Sequence, residues 1–298
     1  MSFHGRREAP HTPAQRIRRA TVCVLAGLLA PAALAAPTLS SLDFGASWRF
    51  DDNLGNGFTP DEENAAHVLR IDAASTSRPV DAENGTLLQA VFGLESVPEY
   101  TELDRFDAGL HFSHLLRAGD GYDALQLSLE GGVTGLLHRD SDFRDRLRLD
   151  LALVGQLRPT DRVALNAGYG VAVERAREEQ VYNTFRQRLF LRADYRLDRD
   201  LTLWLDAEGA TGDVVASGTI SQIASLQAAT RTAEDVFGVG RVAYRMDADS
   251  LSFGGGLAWQ PSGDFALELG AEHHDIEAED DLGYERTIWS ATGIWRLR

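Results

Sequence analysis

Arginines recur at alternate positions in the middle of this sequence, where their charge could attract anionic groups. Arg146 and Arg148 stand two residues apart, as do Arg186 and Arg188. Residues two apart in a β-strand lie on one face, so each pair would present two guanidinium groups to the same side. The candidate charged residues are Arg146, Arg148, Arg158, Arg162, Arg186, Arg188, Arg192 and Arg196, with Glu130, Glu174, Asp206 and Glu208 as the acidic counterpart. Opposed basic and acidic walls of this kind attract and orient charged solutes.

Some of these arginines are expected to pair with carboxylates on neighbouring strands instead. Folding the chain about Thr160 places Arg146 opposite Glu174, and a second hairpin places Arg192 opposite Asp206. Enough such pairs would fill the space between the strands. A charged passage and a closed, ion-paired interior therefore both remain open interpretations.

One constellation could support acyl transfer. His111 and Ser113 lie two residues apart, and Glu130 on the following segment could orient the histidine. The His-x-Ser spacing resembles that of outer-membrane lipid A deacylases, which act at the lipid-facing surface. Here Phe112 takes the outward face, so a pair of inward polar residues is the competing interpretation, and we expect no enzyme activity.

Metal and cofactor signals are weak. The acidic stretches between the strands, such as Asp61 to Glu63 and Glu277 to Asp281, could share divalent cations with lipopolysaccharide or could simply be solvated. His273 and His274 are adjacent, and adjacent strand residues point to opposite faces. We therefore expect no protein-bound metal and no cofactor.

The elements that would position these residues have a period of two. The clearest stretch places Leu147, Leu149, Leu151 and Leu153 between polar residues, and similar segments of 9 to 14 residues recur along the chain. Strands in soluble sandwiches usually span about 5 to 6 residues, whereas a tilted strand needs about 9 to 11 to cross a bilayer. Short turns alternate with longer acidic connections. This asymmetry is typical of a membrane-spanning barrel.

Aromatic residues fall near the ends of the predicted strands. Trp48 and Phe50 lie toward the long connections, and Tyr195, Trp259, Phe265 and Trp295 lie toward the short turns. Two girdles at the membrane interfaces would require this placement.

The beginning of the sequence predicts export. Arg16, Arg18 and Arg19 precede an apolar run that ends in Ala33-Leu34-Ala35, the pattern of a cleaved signal peptide over residues 1–35. Its removal takes five arginines and one glutamate and changes the net charge from −16 to −20. The 29 basic residues are all arginine, and this acidic balance argues against nucleic-acid binding. The single cysteine, Cys23, would leave with the signal peptide.

The alternating chain, whose last strand ends Trp295-Arg296-Leu297-Arg298, resembles the Gram-negative outer-membrane β-barrel superfamily. Members commonly end on an aromatic residue, whereas this sequence ends on arginine. The resemblance covers residues 36–298 and implies localisation in the cell outer membrane after Sec export. It also implies outer-membrane lipid, lipopolysaccharide and the barrel-assembly machinery as partners, with a separate periplasmic secretion partner as a further option.

The sequence predicts an all-β, antiparallel up-and-down transmembrane barrel. Thirteen segments are recognisable, and because both termini should lie on one side, an even count of 14 strands is expected, with 12 as the alternative. The missing strand would lie in Val214 to Thr230, which could otherwise be a long outer loop. The expected function is a porin-like or export channel that passes a small or extended polar solute through an arginine-lined lumen. The alternatives are a non-conducting structural, assembly or secretion-partner barrel and, less favoured, a lipid A-modifying acyl hydrolase.

Overall fold

The chain forms a closed antiparallel barrel. The computed structural model describes residues 38–59, 63–78, 85–117, 123–219, 230–278 and 282–297. The predicted signal peptide over residues 1–35, including Cys23, lies outside these residues, as does Arg298.

Strand bounds follow the period-two segments closely. The strands are β1 (Thr38–Asp51), β2 (Ala66–Arg78), β3 (Thr86–Ser96), β4 (Arg105–Arg117), β5 (Gln126–His138), β6 (Arg146–Thr160), β7 (Val163–Ala176), β8 (Thr184–Arg196), β9 (Leu201–Thr219), β10 (Thr230–Ala233), β11 (Arg241–Ser262), β12 (Phe265–Ala278) and β13 (Gly283–Leu297). Each strand pairs with the next along the chain, except that β9 pairs with β11, and β13 closes the barrel on β1.

The described residues give 12 strands in the barrel and one short strand outside it, so the expected count of 14 is wrong and the alternative of 12 is correct. Residues 241–262 form one strand of 22 residues, β11, which is long enough to hold two of the recognisable period-two segments. No additional barrel strand is found in the described part of the Val214 to Thr230 stretch. Its start continues β9 to Thr219, Thr230 begins the four-residue β10, and 220–229 lie outside the described residues.

Alternation places apolar side chains on the outside and polar side chains on the inside. Leu147, Leu149, Leu151 and Leu153 of β6 are exposed on the exterior, whereas Arg146, Arg148 and Asp150 are half-buried toward the lumen. An exposed aliphatic band of this kind suits lipid and not water. Within the described residues, no helix is long and apolar enough to cross a membrane.

The two ends of the barrel differ. At one end, here the turn end, β6 and β7 are joined by residues 161–162 and β11 and β12 by residues 263–264. At the other, the loop end, the connections 97–104, 139–145 and 177–183 each contain a single 3-10 turn.

The hydrophobic core lies at the loop end and not in the middle of the barrel. Beyond Gly212, whose φ of +127° favours glycine, β9 and β11 continue past the barrel wall as a two-stranded extension. Its inward side chains pack with residues of the β1–β2 connection, β12 and β13; the buried members are Val214, Ala216, Tyr244, Met246, Ala248, Ile276 and Tyr284. Ala243, on the other face, packs against Val181 and Tyr182. We call this extension, together with the described loop-end connections, the loop cap.

Candidate functional site

The lumen contains two chambers. The main chamber, about 1000 Å³, is lined mostly by polar side chains of β1 to β8 with Arg296 of β13. The cap chamber, about 480 Å³, lies beneath the loop cap, which contributes Leu54, Val215 and Ala216 to its lining. Arg148 and Arg188 line both chambers, so they mark the neck between them.

Arg146 and Arg148 face the lumen, but their register differs from the expected one. Arg148 stands opposite Glu174, and Arg146 stands opposite Ala176, because the turn falls at residues 161–162 and an irregularity lies between Leu157 and Thr160. The side chains still pair: Arg146 Nε lies 2.9 Å from Glu174 Oε2. Arg148 lies 2.8 Å from Asp150 and 3.9 Å from Glu174.

On β8, Arg188 and Arg192 lie among acidic and aromatic side chains. Arg192 stands opposite Asp206, which confirms the predicted register, but its ion pairs are with Asp194 at 3.0 Å and Glu268 at 3.9 Å. Its guanidinium also lies 4.8 Å from the ring centroid of Trp204.

Arg188 pairs with Glu208 at 3.3 Å and lies over the ring of Phe190. The acidic residues were predicted to form a wall opposed to the arginines. Glu208 instead lies beside Arg188, on the adjoining strand β9.

Four predicted arginines line neither chamber: Arg192, which is held by the contacts above, and three at the turn end. Arg158, Arg162 and Arg196 border a separate, smaller cavity at the turn end and are exposed. They lie at or beside the β6–β7 turn and at the end of β8, where the strands leave the barrel wall.

Several inward arginines were missed by the sequence interpretation. Arg49, Arg70 and Arg105 converge on Glu95, with distances of 3.2, 3.9 and 3.1 Å. Arg70 also forms a two-point contact with Asp107, at 2.5 and 3.0 Å. The same period-two pattern in β1, β2 and β4 places these arginines on the inward face, whereas the predicted arginines lie only on β6 to β8 and their turns. Inward arginines therefore occur on β1, β2 and β4 as well as on β6 to β8. Those on β1, β2 and β4 also pair with carboxylates.

A second missed feature closes the loop end. Arg144 lies between the rings of Tyr182 and Phe237, 4.9 and 5.5 Å from their centroids, and pairs with Glu234 at 2.6 Å and Asp235 at 3.4 Å. We call these five residues the Arg144 cluster. It joins the β5–β6 connection to the β7–β8 and β10–β11 connections, and its Phe237 also packs against Tyr100 of the β3–β4 connection, on the opposite side of the barrel, with ring centroids 5.0 Å apart. The described part of the loop end is therefore tied together across the mouth.

Electrostatics favour the charged form of Glu234 and the neutral form of Tyr182. Burial raises the pKa of Glu234, but the charge of Arg144 and hydrogen bonds from Arg144 and the Val236 N–H outweigh it, so the pKa falls below its ordinary value. Burial raises the pKa of Tyr182, with a smaller opposing effect from Arg144. At neutral pH the cluster holds an ionised carboxylate and a neutral phenol against one guanidinium.

The acyl-transfer constellation is placed in the main chamber without forming a dyad. His111 Nε2 lies 3.4 Å from Thr134 Oγ1, and its ring rests against Gly132. Glu130 accepts a hydrogen bond from Ser128 at 2.8 Å, and Ser113 stands opposite Glu130 across the sheet. These contacts do not orient His111 toward the Ser113 hydroxyl. His273 and His274 separate as expected, toward Thr287 and Glu272. No group of three metal-binding side chains occurs in the described ranges.

No known family model and no curated protein sequence matches the chain. Solved structures do: an outer-membrane channel from Pseudomonas putida F1 aligns with a TM-score of 0.54 at 10% identity, covering 90% of this chain and 99% of that one. The chain has the fold of an outer-membrane β-barrel. Matches of lower TM-score include the NanC porin (0.44, 11% identity, 86% of this chain and 100% of that one) and the translocator domain of autotransporter NalP from Neisseria meningitidis (0.39, 11%, 95% and 98%).

Aromatic residues lie at both ends of the barrel, where an outer-membrane barrel meets the two membrane interfaces. Trp259, Phe265 and Trp295 form a contiguous cluster at the turn end, with ring centroids 6.4 and 5.3 Å apart. Trp48 and Phe50 flank His67 near the loop end. Tyr195 is exposed near the turn end. This arrangement fits the girdles expected at two membrane interfaces.

Proposed function

We propose that the protein is an outer-membrane channel that passes small or extended polar solutes, exported by the Sec pathway and inserted by the barrel-assembly machinery. The observation that carries the proposal is the main chamber. A barrel of about 8 strands is filled by side chains, whereas this one retains about 1000 Å³ of polar-lined space.

In the proposed orientation the loop end faces the cell exterior, surrounded by lipopolysaccharide, and the turn end faces the periplasm. Solutes would be selected at the neck, where Arg148 and Arg188 attract anionic groups and Glu208 and Glu174 shape the transverse field. Arg146 and Arg192 extend the same charged wall. No cofactor is needed for passive movement of this kind.

One observation favours a second candidate, a non-conducting barrel that presents loops or docks a partner. The Arg144 cluster ties the described loop-end segments together across the mouth. If this cap never opens, the chambers would be a pocket and not a passage.

Liposome swelling separates the two candidates. Proteoliposomes with the refolded mature chain should swell in small sugars and sugar acids faster than empty vesicles. Gly170→Leu should slow swelling, because a side chain at this lumen position would meet Arg188 at the neck. Gly209→Leu is the control, since Gly209 lies on the outward face of β9 with no atom within 4 Å of an added Cβ. Swelling equal to that of empty vesicles, with protein shown to be folded, would favour the non-conducting barrel.

A further inference from the structure

The cap chamber is rich in arginine. Six arginines and four carboxylates contribute to its lining: Arg144, Arg146, Arg148, Arg186, Arg188 and Arg286, with Glu174, Glu208, Asp213 and Glu234. The volume of about 480 Å³ lies within the range of small-molecule sites, roughly 300 to 1,000 Å³.

The carboxylates in and beside this chamber are already engaged. Glu234 pairs with Arg144, Glu174 with Arg146, and Glu208 with Arg188. Asp213 lies 3.5 Å from Arg245 and accepts a hydrogen bond from the Phe185 N–H. Asp51 pairs with Arg286, and Asp150 lies 2.8 Å from Arg148.

Among the arginines that line the cap chamber, Arg186 is the one without a carboxylate partner in the described residues. Among the described residues no carboxylate lies within 4 Å of it, and its recorded hydrogen bond is to the neutral hydroxyl of Ser250, at 2.6 Å. It reaches that hydroxyl from β8 over the intervening strand β9. A half-buried guanidinium without a counter-charge is unfavourable, and an anion bound beside it would lower that cost.

The cap chamber, of about 480 Å³, has room for such a group, and small residues form the wall beside Arg186. Ala172 of β7 stands directly opposite Arg186, and Gly170 stands opposite Arg188. These small residues form the floor between the arginines of β8 and Arg148 of β6. A planar or tetrahedral oxyanion matches the forked donors of arginine.

We propose that the cap chamber binds the oxyanion group of a small solute, a carboxylate or a phosphate, with Arg186 as the main contact and Arg148 and Arg188 at the neck beside it. The inference rests on the proposed function, because it names the class of solute the channel would prefer. It assigns to Arg186 a binding role.

Calorimetric titration of the refolded protein in detergent, in chloride-free buffer of constant ionic strength, tests the site without requiring conduction. Inorganic phosphate and succinate are the two probes, and they distinguish phosphate from carboxylate recognition. Arg186→Gln should weaken binding roughly tenfold or more, the loss of a charge-assisted hydrogen bond. Arg158→Gln, at the exposed turn end, should leave binding unchanged.

Ser250→Ala keeps the charge of Arg186 and should retain binding within about twofold. Arg186→Lys keeps the charge but loses the paired donors of the guanidinium, so it should bind with intermediate affinity. This variant tests the site if Arg186→Gln does not fold. Absence of binding to the wild-type protein, or equal binding by Arg186→Gln, would overturn the site. Binding without membrane currents would support the anion site and contradict the channel function. Currents without binding would support the channel function and contradict the anion site.

Discussion

At the scale of single residues, the lumen contains many ion pairs, and the two side chains of a pair differ in their exposed fraction. Arg188 and Glu208 form one such pair at the neck, with side chains 45% and 29% exposed. Removing either member breaks the same contact, but the two changes alter the field in opposite directions. The pair therefore separates electrostatic selection from mere structural damage.

Arg188→Gln should shift the reversal potential toward cations, and Glu208→Gln should shift it toward anions. A screened charge contact of about 0.5 to 1 kcal/mol corresponds to a change of roughly two- to fivefold in the permeability ratio. The measurement is the zero-current potential under a salt gradient. Shifts of the same sign in both variants would mean that loss of the contact, and not the charge, controls selectivity.

Glu234 makes the loop cap sensitive to acid. Its pKa lies below the ordinary value of 4.5, so its contribution to cap stability is complete above that value and is lost as the pH falls through the lowered pKa. Conductance should therefore stay constant between neutral pH and about pH 5 and rise below about pH 4.5.

Glu234→Gln should raise the conductance at neutral pH, because it leaves Arg144 without a buried partner at a cost of about 3 kcal/mol. Asp235, the more exposed partner of Arg144, provides the matched control: Asp235→Asn should have the smaller effect. A rise in conductance that begins near pH 6 would implicate groups other than this carboxylate.

At the scale of elements, glycines on the lumen face make room for one large side chain. Trp204 is 3% exposed and lies against Gly256 and Gly270, on strands β11 and β12. A Cβ at Gly256 would meet the backbone of Leu269 and Gly270 as well as the Trp204 ring. Substitution here forces the backbone to move.

Gly256→Ala should destabilise the barrel by about 1 to 3 kcal/mol, the usual cost of overpacking. Gly209→Ala on the adjoining strand should have little effect, because an added Cβ there meets no atom within 4 Å. Urea unfolding, followed by heat-modifiable migration and tryptophan fluorescence, measures the difference. Equal stability of the two variants would show that Trp204 can repack.

The barrel strands were predictable because one physical rule governs them. Lipid on one side and polar space on the other impose a period of two, which the sequence displays over β6, β7 and β8 without ambiguity. The inward positions of Arg146, Arg148, Arg188 and Arg192 follow from the same rule.

The loop cap obeys a different rule. In β9 and β11 the alternation continues beyond Gly212, but the inward side chains become apolar, as in Val214, Ala216 and Met246. A period of two cannot distinguish a lipid-facing row from one covered by loops. The Arg144 cluster joins residues about 90 positions apart, and neither spacing nor composition predicts such a contact.

At the scale of the whole molecule, the structure combines an open polar interior with a loop end tied together across its mouth. In the proposed channel the chambers would hold and pass solutes, and the loop cap would control their passage. The central claim is that the interior conducts and that its charges choose the solute.

Single-channel recording in a planar bilayer tests this claim most directly, with the refolded mature chain under a salt gradient. We expect discrete current steps with a reversal potential that favours anions, and larger or more frequent steps in Glu234→Gln. Silent bilayers for both proteins, each shown to be folded by β-type circular dichroism and heat-modifiable migration, would contradict it.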